Sequence, residues 1–254
     1  MNLAFAAVLA FVAGVPFGIF GAGGSILLVP VLVYILGIPV KMALGMALLI
    51  LTATGAVTAL SHARAGDINA AIGAQWAALS MIGSYLGGRL AGWIPAQVLI
   101  GVFAGVVVLA SLRMLRPEIK RVVDGAGARA SWVRIAVVGF SLGVFTGTLG
   151  VGGGFLLVPA LVLVGRVGVK PAIGTSAMVV SINSFGGFLG FASHTHFPFV
   201  LTATIALCNV LGGLVGSHVG EGLSSRRLRP AFAIFLLCIG SVMVTRSVVE
   251  LISH

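Results

Sequence analysis

The feature that most constrains this chain is a glycine-rich break that it contains twice. Residues 18 to 30 read Gly-Ile-Phe-Gly-Ala-Gly-Gly-Ser-Ile-Leu-Leu-Val-Pro, and 129 residues on, without a gap, residues 147 to 159 read Gly-Thr-Leu-Gly-Val-Gly-Gly-Gly-Phe-Leu-Leu-Val-Pro. Between 11–45 and 140–174, 17 of 35 positions are identical, including Pro30/Pro159, Lys41/Lys170 and Gly45/Gly174. Self-similarity on this scale means that one structural unit is used twice.

What surrounds the breaks decides the kind of unit. The chain is 59% hydrophobic and 8% charged, with mean hydropathy +1.19, too apolar for a water-soluble surface. We read it as an all-α integral membrane protein. The net charge of +10 does not indicate nucleic-acid binding, because the basic residues lie in short segments between apolar runs. The start Met-Asn-Leu-Ala-Phe-Ala lacks a basic n-region, so no cleavable signal peptide is expected. Cys208 and Cys238 lack metal-ligand spacing, and neither a metal nor a cofactor is expected.

Each repeat divides into five apolar segments, roughly 3–19, 25–36, 42–61, 69–90 and 96–113, then 132–149, 154–165, 171–191, 198–219 and 229–249. The second segment of each is too short to cross a hydrocarbon core ~30 Å thick at ~1.5 Å per residue. It should therefore form a bent pair with the first, the glycines lying at depth. If each repeat crosses an odd number of times with the linker cytoplasmic, twelve Lys/Arg lie inside and only Lys41, Arg89 and Arg246 outside. An even number splits them eight to seven, so the positive-inside bias selects the odd count. The expected fold is two inverted repeats (residues 1–112 and 132–254) joined by a cytoplasmic linker (113–131), the two short helices meeting near the midplane.

A helix start offers N–H groups without intrahelical partners and about half a positive charge. Two such ends facing one another suit an anion, and glycine lets it approach and permits the positive φ that a nest of donors needs. The candidate solute-binding residues are accordingly Gly21, Gly23, Gly24 and Ser25 in the first repeat, and Gly150, Gly152, Gly153 and Gly154 in the second. Polar residues on the third segments join them: Thr54, Thr175, Ser176 and Asn183. A buried hydroxyl often bonds only the carbonyl one turn back. Asn183 is different, since an amide inside Val-Val-Ser-Ile-Asn-Ser-Phe must either tie helices together or touch solute. No Asp or Glu lies within an apolar segment, which disfavours a cation as solute.

With both breaks leading into Leu-Leu-Val-Pro, and with Gly-Thr-Ser-Ala-Met-Val-Val-Ser-Ile-Asn-Ser-Phe-Gly-Gly at 174–187, the chain resembles the TauE/SafE family of membrane permeases over essentially its whole length. The resemblance implies a multi-pass transporter of the bacterial cytoplasmic (inner) membrane, with members linked to export of sulfite and organosulfonates. The matching positions are Gly21, Gly23, Gly24, Pro30, Gly150, Gly152, Gly153, Pro159, Thr175, Asn183 and Gly187. Thr54 stands where an exact repeat would place a second asparagine, so the polar pair is asymmetric. The partners expected are a small anionic solute and the lipid bilayer, with a homo-oligomer left open. A passive anion channel shares these features. An intramembrane enzyme would need Gly-x-Ser-x-Gly, His-Glu-x-x-His or a carboxylate at depth, none of which the sequence contains.

Overall fold

The computed structural model describes residues 3–19, 25–115, 132–165, 167–195, 197–221 and 241. Gly21, Gly23, Gly24, most of the linker and the fifth segment of the second repeat lie outside the described residues, apart from Ser241. What is described is helical: α1 (Leu3–Ile19), α2 (Leu28–Pro30), α3 (Val40–Arg64), α4 (Ala70–Ala91), α5 (Ala96–Leu115), α6 (Trp132–Leu149), α7 (Gly154–Leu163), α8 (Val169–Ala192) and α9 (Phe199–Glu221).

Among the described residues, four stretches are long and apolar enough to cross a membrane: Val40–Arg64, Trp132–Leu149, Pro171–Ala192 and Phe199–Gly220. The outer surface carries large apolar side chains such as Val8, Val12, Leu60, Ile82, Val133 and Val137, as a surface solvated by lipid requires. Helix α4 is long as well, but Gln75, Ser80, Ser84 and Arg89 dilute its apolar content. Ser80 and Ser84 are fully buried, and α4 packs chiefly against α6 and α8, so it turns its small polar face into the protein.

Each short second segment carries a proline and ends on a widened turn. Pro30 has no N–H, and directly after it the helix widens into the π-helical stretch Val31–Ile35. It ends with Leu36 N–H donating to Val31 O at 3.0 Å and Ile38 N–H to Leu32 O at 3.0 Å. The second repeat ends α7 in the same way, Gly165 N–H donating to Ala160 O at 3.3 Å and Val167 N–H to Leu161 O at 3.1 Å. Each of these four residues stands 129 positions after its counterpart.

Packing between the repeats is reciprocal. Helix α1 lies against α9, and α6, its counterpart, against α4, the counterpart of α9. In both pairs glycines let the backbones touch. A Cβ on Gly14 would meet the Asn209 carbonyl and one on Gly18 the Gly213 carbonyl, while Cβ atoms on Gly143 and Gly147 would meet the carbonyls of Ser80 and Ser84. Likewise Gly83 faces Phe140 O where Gly212 faces Phe11 O, and Gly87 faces Val144 O where Gly216 faces Val15 O. Each of these contacts has its partner at the 129-residue offset.

The central pair is α3 with α8. Gly187 lies beside Leu48, Gly55 beside Ala177, and Ser181 Oγ donates to the Thr52 carbonyl at 2.8 Å. Ascending α3 thus means descending α8, and the two helices are antiparallel. Loops collect at opposite ends. At one, Lys41 Nζ donates to Gly92 O at 2.7 Å, Gly92 lies against His194, and Gly45 lies against Phe197. At the other, Gly174 rests on Asp67 O and the His62 Cβ.

Candidate functional site

Helix α7 starts on a run of left-handed backbone: Gly150 has φ +68°, Gly152 +63° and Gly153 +77°. Residues with a Cβ rarely adopt such angles, and successive ones turn N–H groups toward one point. Gly153, the N-cap, gives its carbonyl to the N–H groups of Leu156 and Leu157 at 3.0 and 2.9 Å. Among the described residues, the N–H groups of Gly152, Gly153 and Gly154 donate to no carbonyl. They form the positive end of a ten-residue helix.

Side chains from three helices close on this start. Thr146, on α6, lies against Gly153, and Ser184, on α8, sets its hydroxyl against Gly152. Asn183 Nδ2 donates to Thr146 Oγ1 at 2.9 Å and to the Gly152 carbonyl at 3.2 Å. A carbonyl only accepts, so the nitrogen must face Gly152, which fixes the amide orientation. Asn183 Oδ1 is left without a partner among the described residues, as are Ser184 Oγ and Ser84 Oγ. Ser84, on α4, sits between Gly147 and Gly187, next along their helices to Thr146 and one turn from Asn183. All three residues are at most 1% exposed. Buried polar atoms are almost always satisfied, so Asn183 Oδ1 and Ser184 Oγ beside the helix start, with Ser84 Oγ against the adjoining turns of α6 and α8, form a site with unused hydrogen-bonding capacity.

The first repeat differs. Thr54 Oγ1 lies 3.0 Å from Ile50 O and 2.9 Å from Asn209 Oδ1, and its single proton serves one of them at a time. Asn209 Nδ2 donates to Ala10 O at 2.9 Å, so this amide is satisfied and joins α3, α9 and α1. Ser25 is buried at the start of the turn leading into α2, its hydroxyl without a partner among the described residues.

The structure thus brings Gly152, Gly153, Gly154 and Asn183 together, with Gly150 one turn of chain away. It does not bring Thr175 and Ser176 to them. Thr175 Oγ1 accepts from Asn69 N–H at 2.9 Å at the opening of α4, eight residues before Asn183 and so ~12 Å along the helix. Ser176 donates to Ile173 O at 2.7 Å, and Thr52 to Leu48 O at 2.8 Å. Sequence reasoning passed over Ser84, Thr146 and Asn209. Asn209 carried the same signal as Asn183, an amide within an apolar helix, whereas Ser84 looked like one small residue among the glycines of α4.

Polar groups gathered inside a helical bundle with an apolar outer surface suit a membrane transporter, the class to which the similar proteins belong. The model of the family described as "Sulfite exporter TauE/SafE" matches residues 6–243. The chain belongs to that family. It is 27% identical to the "Probable membrane transporter protein YdhB" of Bacillus subtilis over 82% of this chain and 86% of the relative. A "Probable membrane transporter protein" of Xylella fastidiosa is 27% identical over 94% of each chain. The "Probable membrane transporter protein MJ0441" of Methanocaldococcus jannaschii is 24% identical over 93% of each. No solved structure matches the chain.

Proposed function

We propose that the protein moves a small anion, sulfite or an organosulfonate, out across the bacterial cytoplasmic membrane by alternating access between two inverted repeats, residues 1–112 and 132–254 with a cytoplasmic linker at 113–131. The observation that carries this reading is the start of α7, where backbone donors on positive-φ glycines meet buried, unpartnered side chains. The described name of the family points to sulfite. The antiparallel α3–α8 pair and the exchange of α1 and α6 between halves support inversion. So does the charge distribution, because Lys41, Gly92 and His194 meet at the end assigned outside and His62, Asp67 and Gly174 at the end assigned inside. Complete burial of Asn183, Ser84 and Ser184 favours a gated carrier over an open channel.

The test is thermal shift of the purified protein against sulfite, thiosulfate, sulfoacetate, taurine, sulfate and short carboxylates, followed by counterflow in proteoliposomes. A ligand of the folded state raises the melting temperature by mass action. At least one sulfur oxyanion should shift it and drive saturable counterflow. No shift with any anion would remove the proposal.

A further inference from the structure

Building on that anion-site reading, we infer that the solute at the α7 cluster is a singly charged oxyanion that keeps one hydrogen-bond donor, an O–H or N–H, and gives it to Asn183 Oδ1. The amide of Asn183 is held with its nitrogen toward Gly152 O and Thr146 Oγ1. Its oxygen, an acceptor only, is buried with no donor among the described residues. The neighbouring hydroxyls of Ser84 and Ser184 do not reach it, although each has a proton to give. A fully deprotonated anion would take up the hydroxyls and the N–H groups of Gly152, Gly153 and Gly154. It would also set its own lone pairs against Oδ1. A solute with one donor satisfies both sets of groups.

Charge leads to the same class. The elements packed against α8 are α3, α4, α6 and α7, and none of their described charged or titratable side chains faces Asn183. Lys41 is held by the Gly92 carbonyl, while Arg64, Arg89, Arg134 and Tyr85 are exposed. His62 packs beside Gly174, nine positions before Asn183. On α8 itself, Lys170 stands thirteen positions before Asn183 and His194 lies just past the far end. Among the described residues, the positive potential at the cluster is therefore that of the helix start, about half a charge. It suits a monoanion and leaves most of a dianion's charge buried and unpaired.

The experiment uses the purified full chain and measures binding of three probes. Ethanesulfonate and 2-hydroxyethanesulfonate are monoanions that differ by one hydroxyl, and sulfite passes from its monoprotonated to its doubly charged form as pH rises. The hydroxylated sulfonate should bind about tenfold more tightly, the value of one well-made hydrogen bond. Sulfite affinity should fall about tenfold per pH unit above its second ionisation. In Asn183→Ala, shown to be folded by its melting curve, the preference between the sulfonates should shrink toward one. Equal affinity for the two sulfonates, or a sulfite affinity that holds or rises with pH, would overturn the inference and leave the anion site standing. If the site is too small for either sulfonate, the sulfite profile decides, and it needs no variant. Absence of binding by every probe would remove both the site and the inference.

Discussion

At the residue scale, burial without partners separates function from packing. A hydroxyl inside a bundle with nothing to bond lowers stability, and removing it relieves the folded state by about 1 kcal/mol. Ser84→Ala and Ser184→Ala should therefore melt at or slightly above the temperature of the parent while binding anion several-fold more weakly. Differential scanning calorimetry and ligand titration on the same samples check this, and a marked loss of stability with unchanged binding would make both serines structural. Asn209 gives the contrast. Its amide bonds Thr54 and Ala10, so Asn209→Ala, which removes both bonds and leaves a gap where α3, α9 and α1 meet, should destabilise by about 1–3 kcal/mol. Glycine substitutions at the break do not discriminate so well. An alanine at Gly152 meets the Ser184 hydroxyl, and one at Gly153 meets Thr146, so steric loss and loss of anion contact arrive together.

Among the elements, α1–α9 and α4–α6 are held by close backbone approach through glycine, the packing that membrane helices favour when apolar burial supplies no drive between them. Gly83→Ala and Gly212→Ala place a methyl on the carbonyls of Phe140 and Phe11. Each should destabilise by about 1–3 kcal/mol, and by similar amounts, because the two contacts are counterparts. Gly101→Ala on α5, where an added Cβ has nothing within 4 Å, should change stability by no more than about 0.5 kcal/mol. Melting curves of the three variants are the check; strongly unequal effects of the first two would count against reciprocal packing. The widened ends of α2 and α7 recur at equivalent positions, Pro30 and Pro159 each preceding a bond that reaches further back than the α-helical one.

For the whole molecule, the proposed inversion of the repeats predicts which end faces which compartment. With Cys208 and Cys238 replaced by alanine, a cysteine at Ala65 should react with a membrane-impermeant thiol reagent only in inside-out vesicles. One at Trp93, which is 87% exposed, should react only from outside. Labelling of both from one side would end the inverted topology. Much of this frame was readable in the sequence. The duplication, the apolar segments, the short second segments and the positive φ of the glycine run at Gly150, Gly152 and Gly153 all follow from local composition and from which residues lack a Cβ or an N–H. The resemblance gave the family. The sequence did not disclose which polar residues converge. Thr175 and Asn183 share α8 and look alike as polar residues in an apolar run, yet one accepts from the backbone of Asn69, the residue that caps α4, and the other meets α7. Ser84, on a different repeat from Gly152, reaches the same cluster only because α4 crosses over to pack on α6 and α8. Such convergence depends on how helices far apart in the chain cross, and helix packing in lipid is set by the fit of whole surfaces, to which no single residue's chemistry is a guide.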